Sequence, residues 1–351
     1  MTREEINGSL VRNAFDFLEK AIADFPESPK FSVIHFYAAV ELILKSRLLQ
    51  EHWALVVSKP QEADWDKFLT GNFHSVGLRE ANNRLKSIAK DGLGKAAFAA
   101  FVTLSNHRNR LMHFFHPGIS DSPEQLETIV AEQSIAWLHL HDLLTQQWHR
   151  FFGEWGREIR ALDFAMKRHS AFLQVKFEKM QPEIDEEKAH GIEFVECSAC
   201  GFEAARRTHL LGRVSKETCL VCDYSPEVLD LECPDCGNLV KLVGEGRGDC
   251  ENCERKFDPE DLAGILIDDG AAHIAAMDGD DRYEPANCGF CDGYNTVIYY
   301  EGNYLCINCL DLSESLHQCE WCHEGNTGDM ENSYFAGCNQ CDGRSGWERD
   351  D

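Results

Sequence analysis

With 351 residues, 43% hydrophobic and 27% charged, the chain is long enough for two or three domains and does not need metal or disulfides merely to hold a minimal core. Its net charge of −26 is lopsided: residues 1–190 carry 23 basic against 26 acidic side chains, which leaves 11 against 34 for residues 191–351. So acidic a surface repels phosphate at long range, which excludes a general nucleic-acid clamp in the second half and favours basic partners there.

The first half reads as helix almost throughout. Thr2 and Glu5 form a capping box, and Ile6, Leu10, Ala14, Leu18, Ala21, Ile22 and Phe25 recur at helical spacing up to Pro26. A second helix is expected over 31–57, with Ile34, Tyr37, Ala38, Leu44 and Leu48 on one face. A shorter one follows over 78–89, then one over 95–115 ended by His116-Pro117-Gly118. Asp121 and Pro123 suit the start of the next helix, lined by Leu126, Ile129, Val130, Trp137, Leu140 and Leu144. A last long helical stretch is expected over 150–188. The fold class is thus an all-α bundle of five or six helices over residues 1–190, followed by a small β-rich, metal-bound array.

That array is written in cysteine. All sixteen cysteines lie beyond residue 196, and each belongs to a C-x-x-C pair. Two thiolates three residues apart on a tight turn occupy adjacent corners of a tetrahedron, so eight such pairs ask for metal. Sequential pairing gives Cys197/Cys200 with Cys219/Cys222, Cys233/Cys236 with Cys250/Cys253, Cys288/Cys291 with Cys306/Cys309, and Cys319/Cys322 with Cys338/Cys341. The unit repeats every 30–40 residues and resembles the zinc ribbon, in which each knuckle caps a hairpin; four structural zinc ions per chain are expected. Interleaved pairing, iron in rubredoxin-like sites and a disulfide framework are the alternatives. His190, His209, His317 and His323 lie near knuckles but are not needed as ligands. The expected layout is ribbons one and two over 191–265, an acidic linker over 266–283, and ribbons three and four over 284–351. The charged start Thr2-Arg3-Glu4-Glu5 and the lack of any apolar run of ~20 residues give the expectation of a soluble, cytoplasmic protein without a membrane partner.

One constellation in the helical half carries chemistry. The stretch Ser105-Asn106-His107-Arg108-Asn109-Arg110-Leu111-Met112-His113 sets an arginine five residues before a histidine. That spacing also occurs at Arg47/His52 and, one residue longer, at Arg110/His116, but only Arg108 is followed directly by Asn. With Arg108, Asn109 and His113 the chain resembles the HEPN superfamily, whose ribonuclease members share this pattern; Glu41, an acidic residue set among the apolar ones of the second helix, resembles the family's supporting acid. The resemblance covers about residues 1–150 and implies a metal-independent endoribonuclease, of the kind found in toxin and antiviral defence systems. A homodimer would pool two Arg/His sets in one composite site, and the ribbons would bind a partner or sense a trigger. Without the resemblance, Glu41 and Arg108 are two opposite charges on buried helix faces that ought to pair, and His113 reads as a core histidine. On that reading the protein is a dimeric, non-catalytic adaptor whose ribbons bind a basic protein. A third possibility rests on Arg206, Arg207, Arg213 and Lys216, a basic patch that could touch RNA from the first ribbon.

Overall fold

The computed structural model describes residues 2–25, 27–113, 123–244 and 248–347. They form a helical N-terminal half, residues 3–189, followed by a β-rich C-terminal region with four tetracysteine clusters. By compactness the chain divides into Met1–Pro182 and Glu183–Asp351, so the division falls within the last long helix rather than at residue 190.

The first unit is built on two helical pairs. Helix α1 (Arg3–Asp24) begins at the expected capping box, with Glu5 N–H donating to Thr2 Oγ1 at 3.2 Å and Thr2 N–H to Glu5 Oε2 at 2.8 Å. It runs antiparallel to α2 (Pro29–Glu51), tied by Ser46 to Asn7 at one end and by His35 to Asp24 at the other. Helix α2 stops six residues short of the expected end, because His52 turns extended and its ring accepts the N–H of Ala54. Two 3-10 turns and α3 (Trp65–Leu69) then bring Trp53, Trp65, Phe68 and Phe73 into one aromatic cluster. Arg84 in α4 (Leu78–Arg84) holds this excursion by donating to the carbonyls of Leu55, Val57 and Ser58. Helix α5 (Lys95–His113) packs on α6 (Pro123–Asp142), and both pack on α2; Gln133 donates to the buried Ser32 hydroxyl, and Trp137 meets Phe36 edge-on.

The long helix expected over 150–188 is three pieces: α7 (His149–Phe152), α8 (Gly156–Met166) and α9 (Ser170–Ala189). Gly153 and the turn at 167–169 interrupt it, breaks that the helix-forming residues on either side do not announce. The core closes on Trp137, Trp148, Phe152 and Phe172, all buried.

The second unit opens with a five-stranded antiparallel meander: β1 (Phe194–Glu196), β2 (Glu203–Leu211), β3 (Val214–Cys219), β4 (Glu227–Glu232) and β5 (Leu239–Val243). The first two cysteine modules therefore share one sheet, joined where Val214 faces Leu229 and Lys216 faces Glu227. A small hairpin, β6 (Gly248–Asp249) with β7 (Lys256–Phe257), completes module two, and α10 (Pro259–Leu266) follows behind the cap Asp258. The stretch expected as an acidic linker contains α11 (Asp269–Met277), N-capped by Asp268. It does not isolate the third module either. Strands β8 (Val297–Tyr300) and β9 (Asn303–Cys306) contribute Ile298, Tyr300 and Leu305 to the same core as Val214, Leu229, Leu231 and Leu242. Gly212 has φ +53, and a Cβ there would collide with the Tyr300 phenol, whose oxygen accepts the N–H of Arg213 at 2.9 Å. Strand β10 (Leu312–Ser313) adds to β9, and β11 (His317–Gln318) pairs with β12 (Gly325–Asn326). The last knuckle lies between two short helices, α12 (Ser333–Ala336) and α13 (Gly343–Trp347), so module four is only half a ribbon.

Candidate functional site

The cysteines come together in sequential fours, each set with all its sulfurs within 4.8 Å of one another. The closest sulfurs between knuckles are Cys197 and Cys222 at 3.6 Å, Cys233 and Cys253, like Cys236 and Cys250, at 3.6 Å, Cys291 and Cys306 at 3.7 Å, and Cys319 and Cys341 at 3.7 Å. Disulfide sulfurs would stand ~2.0 Å apart. A tetrahedron with metal–sulfur bonds of ~2.3 Å places its sulfurs about 3.8 Å apart, which is the spacing found. The four clusters are zinc sites, one ion each.

Backbone geometry prepares them. In seven of the eight knuckles, the residue after the second cysteine is left-handed: Gly201, Asp223, Gly237, Glu254, Asp292, Leu310 and His323, with φ between 58° and 75°. The turn lets N–H groups point at the first sulfur, as Phe290 and Cys291 do toward Cys288 at 3.3 and 3.5 Å. His323 is thereby a turn residue beside its site. Modules three and four are clasped by amides: Asn339 donates to the Cys288 carbonyl and to Asp292, and the buried Asn326 donates to Asn339.

In the helical unit, α2, α4 and α5 enclose a polar cleft of about 450 Å³ lined by Tyr37, Glu41, Arg79, Ser105, Arg108 and Asn109 among others. Arg108 is half-buried; its guanidinium lies 5.7 Å from the Tyr37 ring centre and donates to Asn109 Oδ1 at 3.0 Å. Among the described residues no ion pair joins Glu41 to Arg108, contrary to the pairing expected of two buried charges. Both side chains open on the cleft and are only half-buried, so the desolvation that would force them together is largely absent. His113 is exposed near the end of α5, one turn beyond Asn109, and is not a core histidine.

Comparison with protein families, with curated proteins and with solved structures finds no match to this chain.

Sequence reasoning missed two features of this region. Tyr37, assigned to an apolar stripe, is buried with its hydroxyl bonded to Ser105; burial, opposed by that bond and reinforced by Glu41, raises its pKa. The signal was available, since a buried tyrosine hydroxyl needs a partner. His107 is paired with Glu132 of α6, a contact spanning 25 residues that no local pattern announces. The expected basic patch of module one is mostly neutralised: Arg206 pairs with Glu187, Arg207 with Asp230 and the buried Glu217, and Lys216 with Glu227. Arg213 alone of the four has no carboxylate partner among the described residues, which leaves little for RNA to find there.

Proposed function

We propose that the protein is a metal-independent endoribonuclease of HEPN type, active as a homodimer in a reducing, cytoplasmic setting. It would serve a toxin or antiviral defence role, and its zinc modules would bind a protein partner. The observation that carries this reading is the end of α5: an exposed His113 one turn from Asn109, next to an Arg108 that opens on a polar cleft. A buried, paired Arg108 and a packed His113 would have spoken for a structural role.

The chemistry needs no metal at the reacting phosphate. The ribose 2′-hydroxyl attacks the adjacent phosphorus, the 5′-oxygen of the next nucleotide leaves, and a 2′,3′-cyclic phosphate remains. A histidine moves the proton and a guanidinium stabilises the charge on the pentavalent phosphate. One helix supplies one such histidine, whereas base and acid are two jobs, so two protomers related by a twofold axis complete the site. The test is incubation of the purified protein with total RNA in magnesium-free buffer. Cleavage by wild type and none by His113→Ala is the expected result; a wild type inert on every RNA, or monomeric at micromolar concentration, refutes the enzyme.

The adaptor reading draws on the second unit, where Leu239, Ile274, Met277 and Phe290 are each more than 60% exposed on a strongly acidic segment. Such a surface suits a basic protein with apolar pockets. It becomes the main function if RNA cleavage is absent.

A further inference from the structure

A second pocket of the helical unit, of about 580 Å³, lies between the first half of α1, the end of α2 and the turn following α7. Along α2 it begins at Leu49 and Gln50, eight to thirteen residues beyond the Glu41 and Tyr37 of the Arg108 cleft, or roughly 12–20 Å of helix axis. Arg3, Arg12 and Arg150 line it, with Trp155 and Phe151 as aromatic walls. Arg3 is occupied by Glu4. Neither Arg12 nor Arg150 has a carboxylate partner among the described residues; Arg12 donates to Ser9 Oγ at 3.3 Å and lies 5.9 Å from the Trp155 ring centre, and Arg150 lies 4.3 Å from that of Phe151. The buried Arg47 also lies over the Phe151 ring, at 3.7 Å from its centre, which helps to hold that wall.

The buried unmet hydrogen bonds here are both donors, and the remaining carboxylate of the lining, Glu154, is exposed to solvent. Gln50 Nε2 and Trp155 Nε1 are buried N–H groups without a partner, and both residues line the pocket. Leaving such donors unpaired is costly, so a ligand rich in acceptors gains by satisfying them. Two guanidiniums lying over aromatic rings and without carboxylate partners suit a phosphate, and an indole wall suits a planar ring stacked on it.

We propose that this pocket binds a nucleoside monophosphate, its phosphate between Arg12 and Arg150 and its base against Trp155. The site is independent of the Arg108 cleft and stands whether or not the protein cleaves RNA.

The experiment is calorimetric titration of the full-length, zinc-loaded chain with AMP, GMP, CMP and UMP in turn, with inorganic phosphate and the free nucleosides as separate arms. At least one monophosphate should saturate one site per chain, with phosphate alone and the matching nucleoside at least about tenfold weaker. Arg12→Gln and Arg150→Gln, both at exposed positions, should each weaken it by about tenfold or more, and Trp155→Phe, which keeps a ring but removes the N–H, by severalfold. Arg108→Ala should leave it unchanged. The proposal is overturned if no monophosphate saturates by about 1 mM, if phosphate binds as tightly as the nucleotide, or if Arg108→Ala abolishes binding that the Arg12/Arg150 double variant retains.

Discussion

Replacing the buried Arg47 with methionine should markedly destabilise the helical unit. The Arg47 side chain is fully buried; its Nε and one terminal nitrogen donate to Asp91 Oδ2 at 3.1 and 2.9 Å, and the other donates to Glu51 at 2.7 Å. Asp91 is itself 16% exposed and also accepts from Gln147, so this carboxylate fastens the loop before α5 to α2 and to the turn after α6. Methionine fills most of the volume but strands Asp91, a nearly buried anion, without its cation. Breaking such a pair from one side costs ~3–5 kcal/mol, whereas Glu51, at 35% exposed, is partly hydrated and adds no more than about 1. With a urea dependence of ~1–3 kcal/mol/M, the midpoint should fall by about 2 M. Tryptophan fluorescence reads this unit well, since Trp53, Trp65, Trp137, Trp148 and Trp155 all lie in it. Adding Asp91→Leu to Arg47→Met should recover part of the loss, because the stranded charge goes with it. A midpoint shift below about 0.3 M for Arg47→Met, or no recovery in the double variant, would show that the pair does not hold the unit together.

Three further outcomes follow from the sites. Arg108→Lys should cut RNA cleavage by about tenfold or more while shifting the urea midpoint little, because only one hydrogen bond to a neutral amide and a ring contact of a half-buried residue are lost; equal loss of stability and cleavage would contradict the catalytic role. Elemental analysis should give four zinc ions per chain, and strong chelators should abolish the strand signal of the second unit while the helical circular dichroism persists; two ions, or mainly iron, would refute the assignment. In the metal-free fourth site, burial and crowding by neighbouring thiols push Cys322 up to about 12 and raise Cys338. Zinc requires both as thiolates, so the zinc-bound form holds fewer protons, binding at pH 7 should release at least two protons at that site, and affinity should fall steadily on acidification. Calorimetry in buffers of different ionisation enthalpy counts them, and release of fewer than one per ion would sink this account.

Much of the architecture was legible because it is local. The capping box at Thr2 and Glu5 set the start of α1, and the intervals between C-x-x-C pairs, short enough for one hairpin each, gave the sequential clusters. The left-handed residue after most knuckles was legible only where it is glycine, as at Gly201 and Gly237; Glu254, Leu310 and His323 adopt the same angle with nothing in their chemistry to announce it. What stayed hidden is long-range. No pattern in the sequence says that β3 pairs with β4 and so merges two modules, that the module-three hairpin shares their core, or that Glu41 and Arg108 meet at an open cleft instead of a dry interface. In each case the deciding quantity is which face of an element ends up covered, and that is set by neighbours far along the chain.

The sheet that runs without interruption from β1 to β5 changes what it means for this protein to lose a metal ion. Cys219 ends β3, and Cys233 directly follows β4, the strand paired to β3, so the first and second sites are anchored to adjacent strands of one hydrogen-bonded fabric. An ion leaving either site loosens a strand on which the other depends. Chains carrying one of these two ions should therefore be scarce, and under falling zinc supply the population should split into loaded and empty pairs, a two-position response from a part of the molecule whose job in any single site is only to hold a hairpin shut.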